Sequence, residues 1–138
     1  MISGIHHHAI QVRDLARAER FYCDVLGLSV VRRWPAADGA GHERSVWLSV
    51  GDGSGTFIAL EVVPPGGATA AEDPDRGSRP GHHLLALRIP RDERTRWQAR
   101  LAAAGIALTA QTDFTTYFCD PEGNRLGLSH YPDAAPST

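Results

Sequence analysis

The chain has 138 residues, 42% of them hydrophobic and 22% charged, with a formal net charge of −2 and a pI near 6.4; that length suits one domain with a core of its own, and the composition excludes a disordered chain. The scattered arginines give no field for a polyanion, the longest apolar runs (Val46 to Val50, Phe57 to Val63) are strand-sized, and no basic-then-apolar leader opens the sequence. Neither nucleic acid nor membrane is an expected partner, and a cytoplasmic location is expected.

The first segment, Ile5 to Val12, alternates Ile10 and Val12 with Ala9 and Gln11 and reads as a strand that meets a helix N-cap at Asp14. From Leu15 the apolar residues Leu15, Ala18, Phe21, Tyr22, Val25 and Leu26 follow the period of an amphipathic helix, and Gly27 supplies its stop. Three strand candidates follow, Leu28 to Trp34, Ser45 to Val50 and Thr56 to Val63, between loops rich in Gly, Asp and Ser. Pro64 to Pro80 holds almost no large apolar side chain, a composition for a linker or lid rather than core. The pattern then restarts. His83 to Ile89 reads as a strand, and Pro90 to Asp92 turns into a helix that carries Trp97, Leu101 and Ala104 and stops at Gly105. Strands are expected again over Ile106 to Gln111, Thr115 to Cys119 and Asn124 to Tyr131, the last two joined by the turn Asp120-Pro121-Glu122-Gly123. Trp97, at helical spacing from Leu101, reads as core, and Cys23 and Cys119, with no short-spaced framework, read as two buried thiols.

Val12 to Ile89 spans 77 positions, Gly27 to Gly105 spans 78, and Gly55 to Gly123 spans 68, so the second half repeats the first with shorter loops. The fold class this predicts is α+β: one domain of two βαβββ modules, about 5–63 and 81–131, joined by the 64–80 linker and forming a cupped mixed sheet around a cavity.

Three strings in order, His7-x-x-Ile10-x-Val12-x-Asp14-Leu15, Phe21-Tyr22-x-x-Val25-Leu26-Gly27-Leu28 and Phe118-x-Asp120-Pro121-Glu122-Gly123-Asn124, resemble the signatures of the glyoxalase/bleomycin resistance/extradiol dioxygenase superfamily, the vicinal oxygen chelate proteins. The resemblance covers about Ile5 to Tyr131. It implies a metal site with ligands at four equivalent places, on the first and last strand of each module, and a homodimer that completes the pockets. Here those places hold His7, Ala59, Leu84 and Gly127, and only His7 is a ligand type. A divalent ion held by imidazole and carboxylate needs about three protein ligands, so no metal and no other cofactor is expected. The alternative is a relocated divalent-metal site built from His7, His82 and Glu61, with His83 nearby.

By the period of two, His7 should point into the cup with Ala9 and Gln11, as a general base or hydrogen-bonding group. Arg88, sharing the face of Leu84 and Ala86, suits an enolate, carboxylate or phenolate, and Glu61, on the face of Phe57 and Ala59, suits a base. Gln11, Trp34, Trp47, Phe57, Ala59, Leu84, Tyr117 and Gly127 are the expected ligand-binding residues of an apolar pocket with aromatic walls. The expected function is metal-independent binding, with isomerisation or cyclisation as possible chemistry, of a hydrophobic or aromatic small metabolite, antibiotic sequestration included. The alternative is a metal-dependent lyase, isomerase or dioxygenase.

Overall fold

The structure, a computed structural model, describes residues 1–64, 66, 67, 72 and 80–133. The expected linker or lid from Pro64 to Pro80 lies largely outside the described residues. The chain divides into two compact units, residues 1–73 and 74–138.

In the first unit β1 (His7–Val12) leads into α1 (Leu15–Arg20), whose N-terminus is closed by Asp14: its carboxylate accepts from the Arg17 N–H at 2.9 Å. The helical path continues through Phe21–Val25 with wider, π-helical bonds, the Leu26 N–H reaching Phe21 O at 3.2 Å. Gly27 then takes φ 77°, a conformation open to glycine and costly for side chains. β2 (Ser29–Pro35), β3 (Glu43–Ser49) and β4 (Phe57–Val62) complete the unit. The sheet order is β1-β4-β3-β2, with β1 parallel to β4 and the other pairs antiparallel.

One face of this sheet packs on α1, which lies against β3 and β4. That face is built by Ile10 and Val12, Val46 and Leu48, Ile58 and Leu60, all buried, as are Ala18, Phe21, Tyr22 and Leu26 of the helical segment. Burial of each larger side chain contributes on the order of 1.5–3 kcal/mol. The other face is taken by the alternate residues, and it concerns function.

The second unit repeats the plan. β5 (Leu85–Arg88) is followed by a 3₁₀ turn, Arg91–Glu93, then α2 (Arg94–Ala103), β6 (Ala110–Gln111), β7 (Thr115–Cys119) and β8 (Arg125–Ser129), with sheet order β5-β8-β7-β6 and β5 parallel to β8. Gln98 of α2 donates to Thr116 Oγ1 at 3.0 Å, which marks the sheet face the helix covers; Leu101, Phe118, Leu126 and Leu128 are buried in this core. The registers of the two sheets agree. Ala9 pairs with Ala59 in the first, and Ala86 with Gly127 in the second. The shifts of 77 and 68 positions carry one pair onto the other.

Several expectations are corrected. β5 begins at Leu85 rather than His83, and β6 is two residues rather than six. The backbone after α2 is spent on closing the helix: Gly105, at φ 75°, donates to Ala102 O, and the Ile106 N–H donates to Leu101 O at 2.9 Å. Trp97 is only half-buried, its indole N–H on Glu93 at 3.3 Å and Arg100 beside its ring, so it is no core residue. Cys23 and Cys119 are free thiols and half-buried rather than buried. No helix among the described residues is long and apolar enough to cross a membrane.

Candidate ligand-binding faces

The face of the first sheet opposite α1 is set by the register. Across β1, β4 and β3 it reads His7–Phe57–Ser49, Ala9–Ala59–Trp47 and Gln11–Glu61–Ser45. β2 joins it through a bulge: Val30 pairs with Leu48, but one residue is skipped, so that Arg32 faces Trp47 and Trp34 faces Ser45. Val30 therefore stays with the helix-covered residues while Arg32 and Trp34 turn to the opposite face.

The aromatic side chains expected here form a continuous stack. His7 lies parallel to Phe57 (centroids 4.9 Å apart, planes within 4°), Phe57 stacks on Trp47 at 4.2 Å, and Trp34 leans on Trp47 at 5.3 Å. Arg32 closes the row with its guanidinium carbon 3.9 Å above the Trp34 ring. Each ring pair adds about 0.5–1.5 kcal/mol beyond its burial. The floor is sealed, Ala59 being 1% and Ser45 2% exposed, whereas His7, Ala9 and Gln11 on β1 are open to solvent.

The polar groups are dispersed along this face. Glu61 pairs with Gln11, four residues from His7 and so roughly 13 Å along the strand, which separates the two groups. Glu61 makes no ion pair among the described residues. His6 precedes the strand; its ring packs against Phe57, with its Nδ1 2.9 Å from His7 Nδ1, a contact in which one ring must donate to the other. Trp34 Nε1 and Ser45 Oγ are buried without a hydrogen-bond partner among the described residues.

The equivalent face of the second sheet carries Ala86, Gly127 and Tyr117 in its middle row and Arg88 paired with Ser129 beyond. Arg88 and Ala86 are exposed, Arg88 without an ion pair among the described residues; Leu84, just before β5, is half-buried. Gly127 is tightly covered: a Cβ there would lie 3.1 Å from Thr115 Cγ2 and 3.4 Å from Tyr117 Cδ1. The first sheet follows the same rule, Ala59 lying opposite Trp47 as Gly127 lies opposite Tyr117. Arg125, on the face of Gly127, stands over Tyr117 at 5.2 Å and bonds His83 Nε2 at 2.6 Å. Sequence reasoning missed Arg32 and Arg125. The period of two would have found both, counted back from Gly127 to Arg125 and from Trp34 to Arg32, although the bulge that sets them apart from Val30 shows only in the pairing with β3.

Residues 4–128 match the profile of the Glyoxalase/Bleomycin resistance protein/Dioxygenase superfamily. The chain belongs to this superfamily. A glyoxalase/dioxygenase from Nostoc punctiforme superposes with TM-score 0.76 at 21% identity over 95% of this chain and 92% of that one. The fosfomycin resistance protein FosX from Listeria monocytogenes does so with TM-score 0.71 at 17% identity, over 94% and 92%. These likenesses establish the superfamily fold. The catechol-2,3-dioxygenase of Bacillus subtilis (strain 168) is 29% identical over 137 residues, 97% of this chain but 43% of its own length, so the chain spans less than half of that relative.

Mn(II) accompanies the Listeria FosX in two of its structures. The four places where the superfamily resemblance implies ligands do not fit a metal in this chain. Ala59, Leu84 and Gly127 carry no donor side chain, the space at Gly127 is taken by Tyr117 and Thr115, and His7 is packed flat on Phe57. Among the described residues no three His, Cys, Asp or Glu side chains converge as a ligand cluster.

Proposed function

We propose that the protein binds a planar, hydrophobic or aromatic small metabolite on the stacked face of the first unit and does so without a resident metal. The observation that carries this is the unbroken row His7–Phe57–Trp47–Trp34, ending under Arg32, on a sheet face whose edge strand is open to solvent. A flat ring gains dispersion and stacking along such a row, with a few polar groups fixing its orientation. Those groups are Gln11 and Glu61, paired across β1 and β4 at one end. His7, exposed at the other end, is the group placed to move a proton if the ligand is isomerised or cyclised. A homodimer belongs to the same proposal; sedimentation equilibrium should return twice the chain mass of 14.9 kDa.

The test uses tryptophan emission. Trp97→Phe removes the one tryptophan outside the row and leaves Trp34 and Trp47 as reporters. Bicyclic aromatic alcohols should quench them saturably, small polar ligands such as hemithioacetals should not, and Trp47→Ala should weaken binding about tenfold, the loss of a stacked anchor. Elemental analysis should find far less than one ion per chain, with EDTA leaving binding unchanged. One tightly held ion per chain whose removal abolishes binding would overturn the proposal and favour a metal-dependent lyase, isomerase or dioxygenase.

A further inference from the structure

The second sheet carries a different chemistry on its corresponding face, and its argument is independent of the aromatic row. Its small-residue floor, Ala86 beside Gly127, is flanked by two arginines. Arg88 is paired with Ser129 and Arg125 lies two residues before Gly127, so they stand four residues apart in register, roughly 13 Å along the strands. No carboxylate residue lies on this face of β5, β7 or β8. Both guanidiniums are therefore charges without a counter-ion among the described residues. Arg125, at 2.6 Å from His83 Nε2, is held by a neutral imidazole acceptor rather than by an acid, which leaves its charge uncompensated. The Tyr117 ring under Arg125 is fixed against Gly127, and its hydroxyl has no partner among the described residues.

We propose that this face is a carboxylate-binding site, in which Arg125 supplies the charge, Tyr117 donates its hydroxyl to one carboxylate oxygen, and His83 positions the guanidinium. A carboxylate is the group favoured because one guanidinium and one O–H suffice to serve its two oxygens, whereas a phosphate needs donors converging from several sides. Gly127 is part of the device. A Cβ there would lie in contact with the Tyr117 ring at 3.4 Å and crowd the Thr115 methyl at 3.1 Å, so the bare glycine leaves the ring its place.

The probe is benzoate against its neutral isostere benzamide, titrated at constant ionic strength and followed by the Gly127 amide resonance, with the dispersion of the whole spectrum reporting on folding. Benzoate should shift that resonance saturably and bind at least about tenfold more tightly than benzamide, as hydrogen bonds to a charged group imply. Arg125→Gln should erase the preference, and Tyr117→Phe, which keeps the ring, should weaken benzoate several-fold without touching benzamide. Arg96→Gln, on the exposed side of α2 and paired among the described residues with Glu93, should change nothing. Equal binding of the two probes, no shift at Gly127, or a preference that survives Arg125→Gln in a folded variant would each overturn the site. Tryptophan quenching by neutral aromatic rings would persist in all of those outcomes if the aromatic face is correctly assigned, so the two proposals fail separately.

Discussion

At the scale of single residues, the close packing at Gly127 makes a definite prediction. A methyl group there meets Thr115 Cγ2 at 3.1 Å and the Tyr117 ring at 3.4–3.5 Å, so Gly127→Ala should destabilise the protein by about 1 kcal/mol in urea titrations. Thr115→Ser retains the hydroxyl that donates to Ser129 and removes the crowding methyl. The double variant should therefore recover much of the loss, and strictly additive effects would contradict the packing argument. Cys23 gives a second test. Burial raises its thiol pKa above the ordinary value, the Glu19 and Asp24 carboxylates push the same way, and Arg33 opposes them. Less thiolate is present at any pH below that raised value, so iodoacetamide at pH 8 should alkylate Cys23 more slowly than a cysteine in an unfolded peptide. An equal or faster rate would contradict it. The period of two placed His7, Phe57, Glu61 and Arg88 on their faces from sequence alone. It did not show that Glu61 is kept from His7 by four residues of register or that Arg125 caps Tyr117, because such contacts depend on which strand lies alongside.

At the scale of elements, the caps were the readable part. Asp14 closes α1 as its position suggested, and Asp14→Ala should cost about 1 kcal/mol in the same titrations. The turn between β7 and β8 rests on more. Asp120, 4% exposed, accepts from the Glu122 and Asn124 N–H groups with Oδ1, at 2.9 and 2.8 Å, and from Asn124 Nδ2 with Oδ2 at 2.9 Å. Asp120→Ala strands these donors and should cost about 2–4 kcal/mol, well above the loss at Asp14; an equal loss at the two sites would refute the turn as a structural keystone. Element limits were less legible. The residues from Ile106 read as strand by composition, yet their first N–H is taken by the cap of α2. The bulge in β2 is invisible to a pattern count because Val30, Arg32 and Trp34 share one parity and only the partner strand reveals the slip.

At the scale of the whole molecule, the duplication was legible because two first strands and two last strands keep constant offsets, and the sheet registers honour them. What each copy does was hidden, since the copies differ in the side chains laid over one backbone plan: His7–Phe57–Trp47 in one unit, His83–Arg125–Tyr117 in the other. The pairing of a large ring with a small residue, Trp47 with Ala59 and Tyr117 with Gly127, recurs in both. It also constrains where mutation can lead. A carboxylate introduced at 127 would crowd the Thr115 methyl before it met any ion, and so would first lose stability. The Thr115 methyl has to give way before the acid can be accommodated. A donor at this place therefore depends on an earlier change in its neighbours, and substitution has more room to diversify the two faces than to equip this one with an acid.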